Sequence, residues 1–361
     1  MSVNALNKKH FCILPWIHLE IQQGGNCTTC CKTQLQVDLG QLNNTPLLDI
    51  LNHSEQIQTR KNMLEDKPTT ACSDCYRDEK LGHLSLRQRS NLYYSDYYDS
   101  AMANMGEDCK LLQPNLVYLG LRFSNLCNLK CVYCSSHYST SIRDDYNVGH
   151  LKTFNSKKEM EFFLEEYCKN VETYYIAGGE PFLDPLHLDF LKHLVSNNLT
   201  QTNLTYNTNL SIPLEKREDL FDLWKTFKSV IFCASLDASH STGEKIRVGL
   251  KWEMAEKNIK IVSEKLGIDK IKIYITVTNL NALEICSFID YLIKKKLCLP
   301  NGIIFNFLSS PLEYHIGQID QNIKNTLSEE IRNFRKRLLL NYDLNDVHTT
   351  ISQLNSFLKY L

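Results

Sequence analysis

From about residue 115 onward, six short apolar runs alternate with segments of helical periodicity, and this alternation limits the fold more than any other feature of the chain. The runs are NLVYLGLRF (115–123), ETYYIAG (172–178), TNLTYNT (202–208), SVIFCASLD (229–237), KIKIYITV (270–277) and GIIFNFL (302–308). Each is rich in β-branched or aromatic residues and reads as a strand. Between them, segments such as KKEMEFFLEEYCKN, PLHLDFLKHLVSNN and KWEMAEKNIKIVSEKLG repeat apolar residues at helical spacing. Strand and helix in strict alternation imply parallel strands joined by right-handed crossovers. The expected fold is therefore α/β, a partial (β/α)6 TIM-like barrel, with its chemistry in the loops after the strands.

The loop after the first strand holds SNLCNLKCVYCSS, which places Cys127, Cys131 and Cys134 within eight residues of one another. With 40 Lys+Arg against 41 Asp+Glu, no net basic field draws nucleic acid, which is not an expected partner. The opening residues have no apolar run of signal-peptide length, and no segment approaches the roughly 20 apolar residues that span a bilayer. A cytoplasmic protein without membrane contact is expected, and there the 14 cysteines argue for metal, cluster or redox chemistry over disulfides. Three thiolates can ligate a cubic [4Fe–4S] cluster that normally takes four, leaving one iron open. Structural zinc favours paired two-cysteine knuckles closed at four ligands, and this is a triplet.

Cys-x3-Cys-x2-Cys with Tyr133 before the last cysteine resembles the signature of radical S-adenosylmethionine (SAM) enzymes. The resemblance implies that the open iron chelates SAM, and that an electron from the cluster cleaves the sulfonium to a 5′-deoxyadenosyl radical. Later strand ends resemble the same family in its order. AGGEP (Gly178, Gly179, Glu180, Pro181) is similar to the loop whose backbone binds the SAM amino group, and glycines there allow close approach. Tyr206-Asn207-Thr208-Asn209 resembles the polar end of the third strand. Ser235-Leu236-Asp237 with Arg247 resembles the SAM ribose and carboxylate region, and Arg suits a carboxylate because its fork binds bidentately. Thr278, in Thr276-Val277-Thr278-Asn279, falls where relatives contact the adenosine.

The first 75 residues hold six cysteines: Cys12, Cys27, Cys30, Cys31, Cys72 and Cys75. FCILPW, a CC pair and CSDCYRDE resemble the Twitch and SPASM modules that carry auxiliary [4Fe–4S] clusters, here ahead of the barrel. The resemblance implies a second cluster on Cys12, Cys30, Cys72 and Cys75, with Cys31 an alternative to Cys30. The same four ligands would also satisfy a structural zinc. Cys109, Cys168, Cys233, Cys286 and Cys298 stand singly, and buried cysteine behaves as a small hydrophobe.

Three regions follow: a cysteine-rich Twitch/SPASM-like module with its connection (1–114), the radical SAM core (115–310) and a helical tail (311–361). The polar, tyrosine-rich connection is expected to form an amphipathic helix, with Arg87, Arg89, Tyr93 and Tyr94 as alternative substrate contacts. The tail places Ile319, Ile323, Leu327, Ile331, Phe334 and Leu338 on one helical face. The expected reaction is hydrogen abstraction from a peptide or small-molecule substrate, ending in oxidation or a cross-link. Electrons would come from a cytosolic donor such as flavodoxin or ferredoxin. Epimerisation instead needs a thiol hydrogen donor, for which Cys109 and Cys233 are candidates. The reading of another class is a noncatalytic iron–sulfur or zinc scaffold that senses redox state or binds a partner. SAM-like residues on several strands weigh against it.

Overall fold

A computed structural model describes residues 6, 8–33, 38–82 and 84–361. Among the described residues ten strands occur: β1 (His18–Ile21), β2 (Cys27–Thr28), β3 (Tyr118–Arg122), β4 (Lys130–Cys131), β5 (Thr173–Ala177), β6 (Asn203–Thr208), β7 (Ser229–Ser235), β8 (Arg247–Val248), β9 (Ile271–Val277) and β10 (Ile303–Phe307). Eight belong to one sheet in the order β10-β9-β7-β6-β5-β3-β1-β2, and β4 and β8 pair by themselves. β1–β3, β3–β5, β7–β9 and β9–β10 are parallel, whereas β1–β2 is antiparallel. All six apolar runs are strands, and helices such as Lys157–Tyr167, Pro185–Ser196 and Trp252–Leu266 lie between them. Among the described residues no helix is long and apolar enough to cross a membrane.

The chain divides into two compact units. The first comprises residues 1–125, 150–178 and 184–204, and the second 126–149, 179–183 and 205–361. In the first, the N-terminal segment does something its sequence did not announce. β1 adds a parallel strand beside β3, in the register Glu20↔Gly120, and β2 returns antiparallel to it. All four residues of β1 are buried, so it lacks the alternation that marks a half-exposed strand.

The connection is not one amphipathic helix but three short ones, Ser73–Lys80, Leu86–Tyr93 and Tyr98–Ala103. Gly82, at φ 79°, lies just past the first. Ser85 starts the second with a capping box: its hydroxyl accepts from the Gln88 N–H, and the Gln88 side chain accepts from the Ser85 N–H.

In the second unit, an aromatic cluster fills the core between strands and helices. Tyr206 stacks on Phe232 at 5.6 Å and accepts a hydrogen bond from the Trp224 indole at 3.1 Å. The tail is a helical hairpin, Gln321–Asn341 and Leu344–Tyr360. Leu327, Ile331, Phe334 and Leu338 are buried as the periodicity requires. Ile323 is 40% exposed and Ile319 precedes the helix, so the apolar face is shorter than expected. The second helix covers the free edge of β10: Gln353 accepts from the Phe305 N–H at 2.8 Å, and Tyr360 stacks on Phe307 at 4.3 Å.

Candidate functional site

Cys127, Cys131 and Cys134 lie in the second unit, in a loop held by a two-residue ladder. β4 pairs with β8, so that Cys131 stands opposite Arg247 and Lys130 opposite Val248. The Val132 N–H donates to the Ile246 carbonyl at 2.9 Å, and the Cys134 N–H donates to the Cys131 carbonyl at 3.0 Å, drawing the last two cysteines into one turn. All three thiols are half-buried. Burial first, then Glu180 and Cys131, push Cys127 up to about 11, and burial with Cys131 and Cys127 pushes Cys134 up to about 12. Burial also raises Cys131, with the Arg247 guanidinium pulling it back. At neutral pH these are protonated thiols, and a bound metal centre is what turns such groups into thiolates. Three sulfurs within mutual electrostatic reach fit a cluster with one iron left open.

Arg247 does make a bidentate fork, and its partner is Asp237. Nε and Nη2 donate to the Asp237 carboxylate at 2.9 and 3.1 Å, while Nη1 lies 3.9 Å from the Cys131 sulfur. Asp237 is fully buried and also accepts from the Tyr133 hydroxyl at 2.5 Å and the Thr276 N–H at 2.9 Å. One carboxylate thus ties the loop tyrosine, the arginine and the end of β9 together. The family resemblance assigned Arg247 to a SAM carboxylate; the geometry commits two of its donor nitrogens inside the protein and leaves Nη1 toward the thiols.

A second carboxylate organises the other side of the loop. Glu180 is buried and accepts from the Thr208 hydroxyl and the Asn209 N–H, both at 2.7 Å. Burial pushes its carboxyl up to about 7, against the pull of these hydrogen bonds. The Asn209 amide in turn donates to the Asn128 side chain at 3.1 Å and lies 4.0 Å from the Cys127 sulfur. In the first unit, Gly178 adopts φ +121°, and a Cβ there would lie 2.7 Å from the Ser124 carbonyl, so only glycine fits. Gly179 follows it and is half-buried. Ser235 donates to Asn207 at 3.1 Å, joining two candidates from neighbouring strands.

Thr278 is placed differently. It is fully buried and its N–H and hydroxyl both donate to the Asn281 side chain, at 2.8 and 3.1 Å. Asn281, which the sequence reading missed, donates in turn to the Asp237 and Thr276 carbonyls, each at 2.9 Å. The available signal was the T-N-L-N stretch after β9, a composition that favours an Asx-type turn.

In the first unit, four thiols share one buried region. Cys12 precedes the short helix Leu14–Ile17, Cys30 follows β2, Cys72 caps the helix Ser73–Lys80, and Cys75 lies in that helix's first turn. Burial raises the Cys12 thiol, and Cys72, Cys30 and Cys75 raise it further. Cys30 and Cys72 are each pushed up to about 12 by burial and by thiols of the same group. Cys31 is raised by burial and then chiefly by Glu20, with Arg122 opposing. Its environment is the Glu20–Arg122 pair, whereas Cys30 belongs with the other three. A helix N-terminus under Cys72 and Cys75 favours thiolates. Among the described residues no three Cys, His, Asp or Glu side chains converge as tightly as a single metal ion requires.

Arg87 fixes this arrangement. It forks onto Glu79 at 3.0 and 2.7 Å and donates to the Phe11 carbonyl at 2.7 Å, beside Cys12. Asn91 donates to the same carbonyl and accepts from the Ile13 N–H, both at 2.9 Å. Arg87 and Tyr94 are buried, while Arg89 and Tyr93 are exposed.

Comparison with known proteins agrees with this geometry. Residues 121–292 match the family model of the radical SAM superfamily, and residues 12–76 match that of an iron–sulfur cluster-binding domain, SPASM. The chain carries a radical SAM domain. As a radical SAM protein it takes SAM with a [4Fe–4S] cluster, and its SPASM module binds a further iron–sulfur cluster. No curated protein matches the chain. Among solved structures it is similar to native anSMEcpe with bound AdoMet (21% identity, TM-score 0.42, covering 62% of this chain and 58% of that one). It is also similar to anSMEcpe with bound AdoMet and Kp18Cys peptide (19%, 0.44, 62% and 62%). A third is SuiB of Streptococcus suis bound to S-adenosylmethionine (18%, 0.45, 79% and 63%). The radical SAM chain described here thus spans about three fifths of the length of those chains.

The single cysteines of this radical SAM protein stand outside both thiol groups. Cys233 lies on β7, 1% exposed and opposite Lys272. Cys109 sits at φ 64° in a turn whose carbonyl accepts from the Arg60 Nε at 2.8 Å.

Proposed function

We propose that this is a cytoplasmic enzyme that reductively cleaves SAM at Cys127, Cys131 and Cys134 and abstracts hydrogen from a peptide or small-molecule substrate. The cluster and SAM supply the hard chemistry, a 5′-deoxyadenosyl radical formed by one-electron reduction of the sulfonium. The protein's own groups bind, orient and exclude water. Asp237 holds Arg247 and Tyr133 against the cysteine loop, and Arg247 Nη1 is the donor left for a SAM carboxylate. Glu180 fixes Thr208 and Asn209, while Gly178 and Gly179 let the backbone approach the SAM amino group. Asn207 and Ser235 serve the ribose side, and Thr278 acts there through Asn281.

The auxiliary cluster takes Cys12, Cys30, Cys72 and Cys75. Held by these four thiolates, it would supply either an electron acceptor or a staple for the module. Residues 1–114 form the auxiliary module, 115–310 the core and 311–361 the tail. A flavodoxin or ferredoxin provides the electron. Outcomes open to the substrate radical are oxidation, cross-linking and epimerisation.

The observation that carries this reading is the β4–β8 ladder, which sets Arg247 directly opposite the central cysteine of the triplet. The test is anaerobic reconstitution with iron and sulfide, followed by quantification of 5′-deoxyadenosine after addition of SAM and dithionite. Wild type forms it, and the Cys127→Ala/Cys131→Ala/Cys134→Ala variant does not. Formation at the wild-type rate by that triple variant overturns the assignment.

A further inference from the structure

The first unit contains a buried polar cluster that neither cysteine group uses. β1 alternates His18, Glu20 and Gln22 along one face and onward into the turn, and the register sets Glu20 against Gly120 of β3, which is itself opposite Tyr175 of β5. The missing side chain of Gly120 makes room: a Cβ there would fall 1.9 Å from Glu20 Oε2. Any other residue would push the carboxylate out of this slot. Glu20 is 0% exposed and its Oε1 accepts from Arg122 Nη1, two residues along β3. That is the guanidinium's one hydrogen bond among the described residues.

The acceptors in this cluster outnumber the donors that reach them. Glu20 Oε2 and Gln22 Oε1 are both buried and neither receives a hydrogen bond among the described residues. Gln22, 3% exposed, spends its amide nitrogen on the Thr28 hydroxyl. His18 Nδ1 lies 2.9 Å from the Tyr118 carbonyl and can only donate to it. His18 Nε2 lies 3.7 Å from Glu20 Oε2, beyond hydrogen-bond reach. An unsatisfied buried acceptor is costly, and two on adjacent same-face positions call for a ligand that brings N–H groups. Arg122 offers spare N–H donors to the same ligand. Arg122, Tyr175 and Cys31, whose electrostatic partners include Glu20 or Arg122, are half-buried.

We propose that Glu20, Gln22 and Arg122 form a subsite for a carboxamide, whose NH2 donates to Glu20 Oε2 and Gln22 Oε1 and whose oxygen accepts from Arg122. The inference rests on the reading of this chain as an enzyme with a peptide or small-molecule substrate, and names the polar group that substrate carries. An ammonium would bring an additional buried charge, because Arg122 already balances Glu20. A carboxylate would set its oxygens against two acceptors. A carboxamide presents two donors and an acceptor without charge.

The experiment is anaerobic equilibrium dialysis of the reconstituted, SAM-loaded protein against acetyl-Ala-Xaa-Ala-N,N-dimethylamide peptides, which carry no primary carboxamide outside Xaa, with Xaa Gln, Asn, Leu, Lys or Glu. Free glutamine is included to separate an amino acid from a peptide source. The Gln or Asn peptide, or free glutamine, should bind about tenfold or more tighter than the Leu and Lys probes, since a site built for hydrogen bonding rejects analogues that lack the groups. Gln22→Leu should abolish this preference, keep the wild-type iron content, and raise the melting temperature of the ligand-free protein by removing an unsatisfied acceptor. Glu20→Gln, which is isosteric, serves as the second variant and should weaken carboxamide binding alone. Equal binding of all probes to wild type, or a preference that survives both variants, overturns the subsite. Dialysis does not depend on SAM cleavage, so absence of 5′-deoxyadenosine with the preference intact counts against the radical reading only.

Discussion

Asp237→Ala removes the acceptor of four donors in one step: Arg247 Nε and Nη2, the Tyr133 hydroxyl and the Thr276 N–H. Arg247 is itself buried, so the substitution leaves an uncompensated guanidinium in the interior. Breaking a buried pair on one side costs about 3–5 kcal/mol. At roughly 2 °C per kcal/mol for a chain of this size, the melting temperature should fall by roughly 6–10 °C. Replacing both partners by apolar residues, Asp237→Leu with Arg247→Met, removes the orphaned charge as well and should cost only about 1–2 kcal/mol. A double-mutant cycle of Asp237→Leu, Arg247→Met and the two together, measured by anaerobic thermal unfolding at matched iron content, should thus return a coupling of at least about 2 kcal/mol. SAM cleavage should be lost in all three variants, because Tyr133 and Arg247 no longer brace the cysteine loop. A fall of under 2 °C for Asp237→Ala, or additivity in the cycle, would refute the claim that this carboxylate is the hub.

Glu180 predicts a pH signature. Its carboxyl is raised by burial to about 7, so the stability tied to its protonated form is complete below the ordinary range near 4.5 and declines as pH rises through 7. Ionisation costs about 3 kcal/mol at 1.36 kcal/mol per unit, and Glu180→Gln should flatten the fall of melting temperature between pH 5 and 8 relative to wild type; parallel profiles would count against it. Cys30→Ser should lower iron content by about four atoms per chain, whereas Cys31→Ser should leave it unchanged. Equal loss in both would show that the two sulfurs share the cluster. Cys72→Ala with Cys75→Ala should stop product formation while dithionite-driven 5′-deoxyadenosine persists, since the SAM-binding iron belongs to the other thiol group. Loss of both activities in a folded variant would argue that the clusters do not act separately.

The parts of this molecule that were legible in sequence are those whose cause is local. Six strands declared themselves through β-branched and aromatic runs, and the triplet through spacing alone. β1 stayed hidden because four residues buried on both faces carry no period, and because its partner β3 lies a hundred residues away. Arg247 was found as a candidate, but its commitment to Asp237 is set by β4 pairing with β8, which no spacing encodes. The choice between Cys30 and Cys31 was open for the same reason: adjacent thiols point apart, and which one meets Cys12, Cys72 and Cys75 depends on the turn after β2. Arg87 was a candidate substrate contact on an amphipathic helix, yet it is buried, because Glu79 from the preceding helix and the Phe11 carbonyl from a distant segment come to it. Glu20 and Gln22 escaped notice because their meaning depends on Gly120, whose absent side chain is visible only once β1 and β3 are in register.

The central claim is that SAM binds at the Cys127, Cys131 and Cys134 cluster. Electron paramagnetic resonance of the dithionite-reduced Cys72→Ala/Cys75→Ala variant, which retains only that cluster, tests it without interference from the auxiliary site. Addition of SAM should shift the g values of the reduced cluster, because the ligand enters the coordination sphere of the open iron. A spectrum that SAM leaves unchanged, in a variant with about four irons bound, would contradict the account.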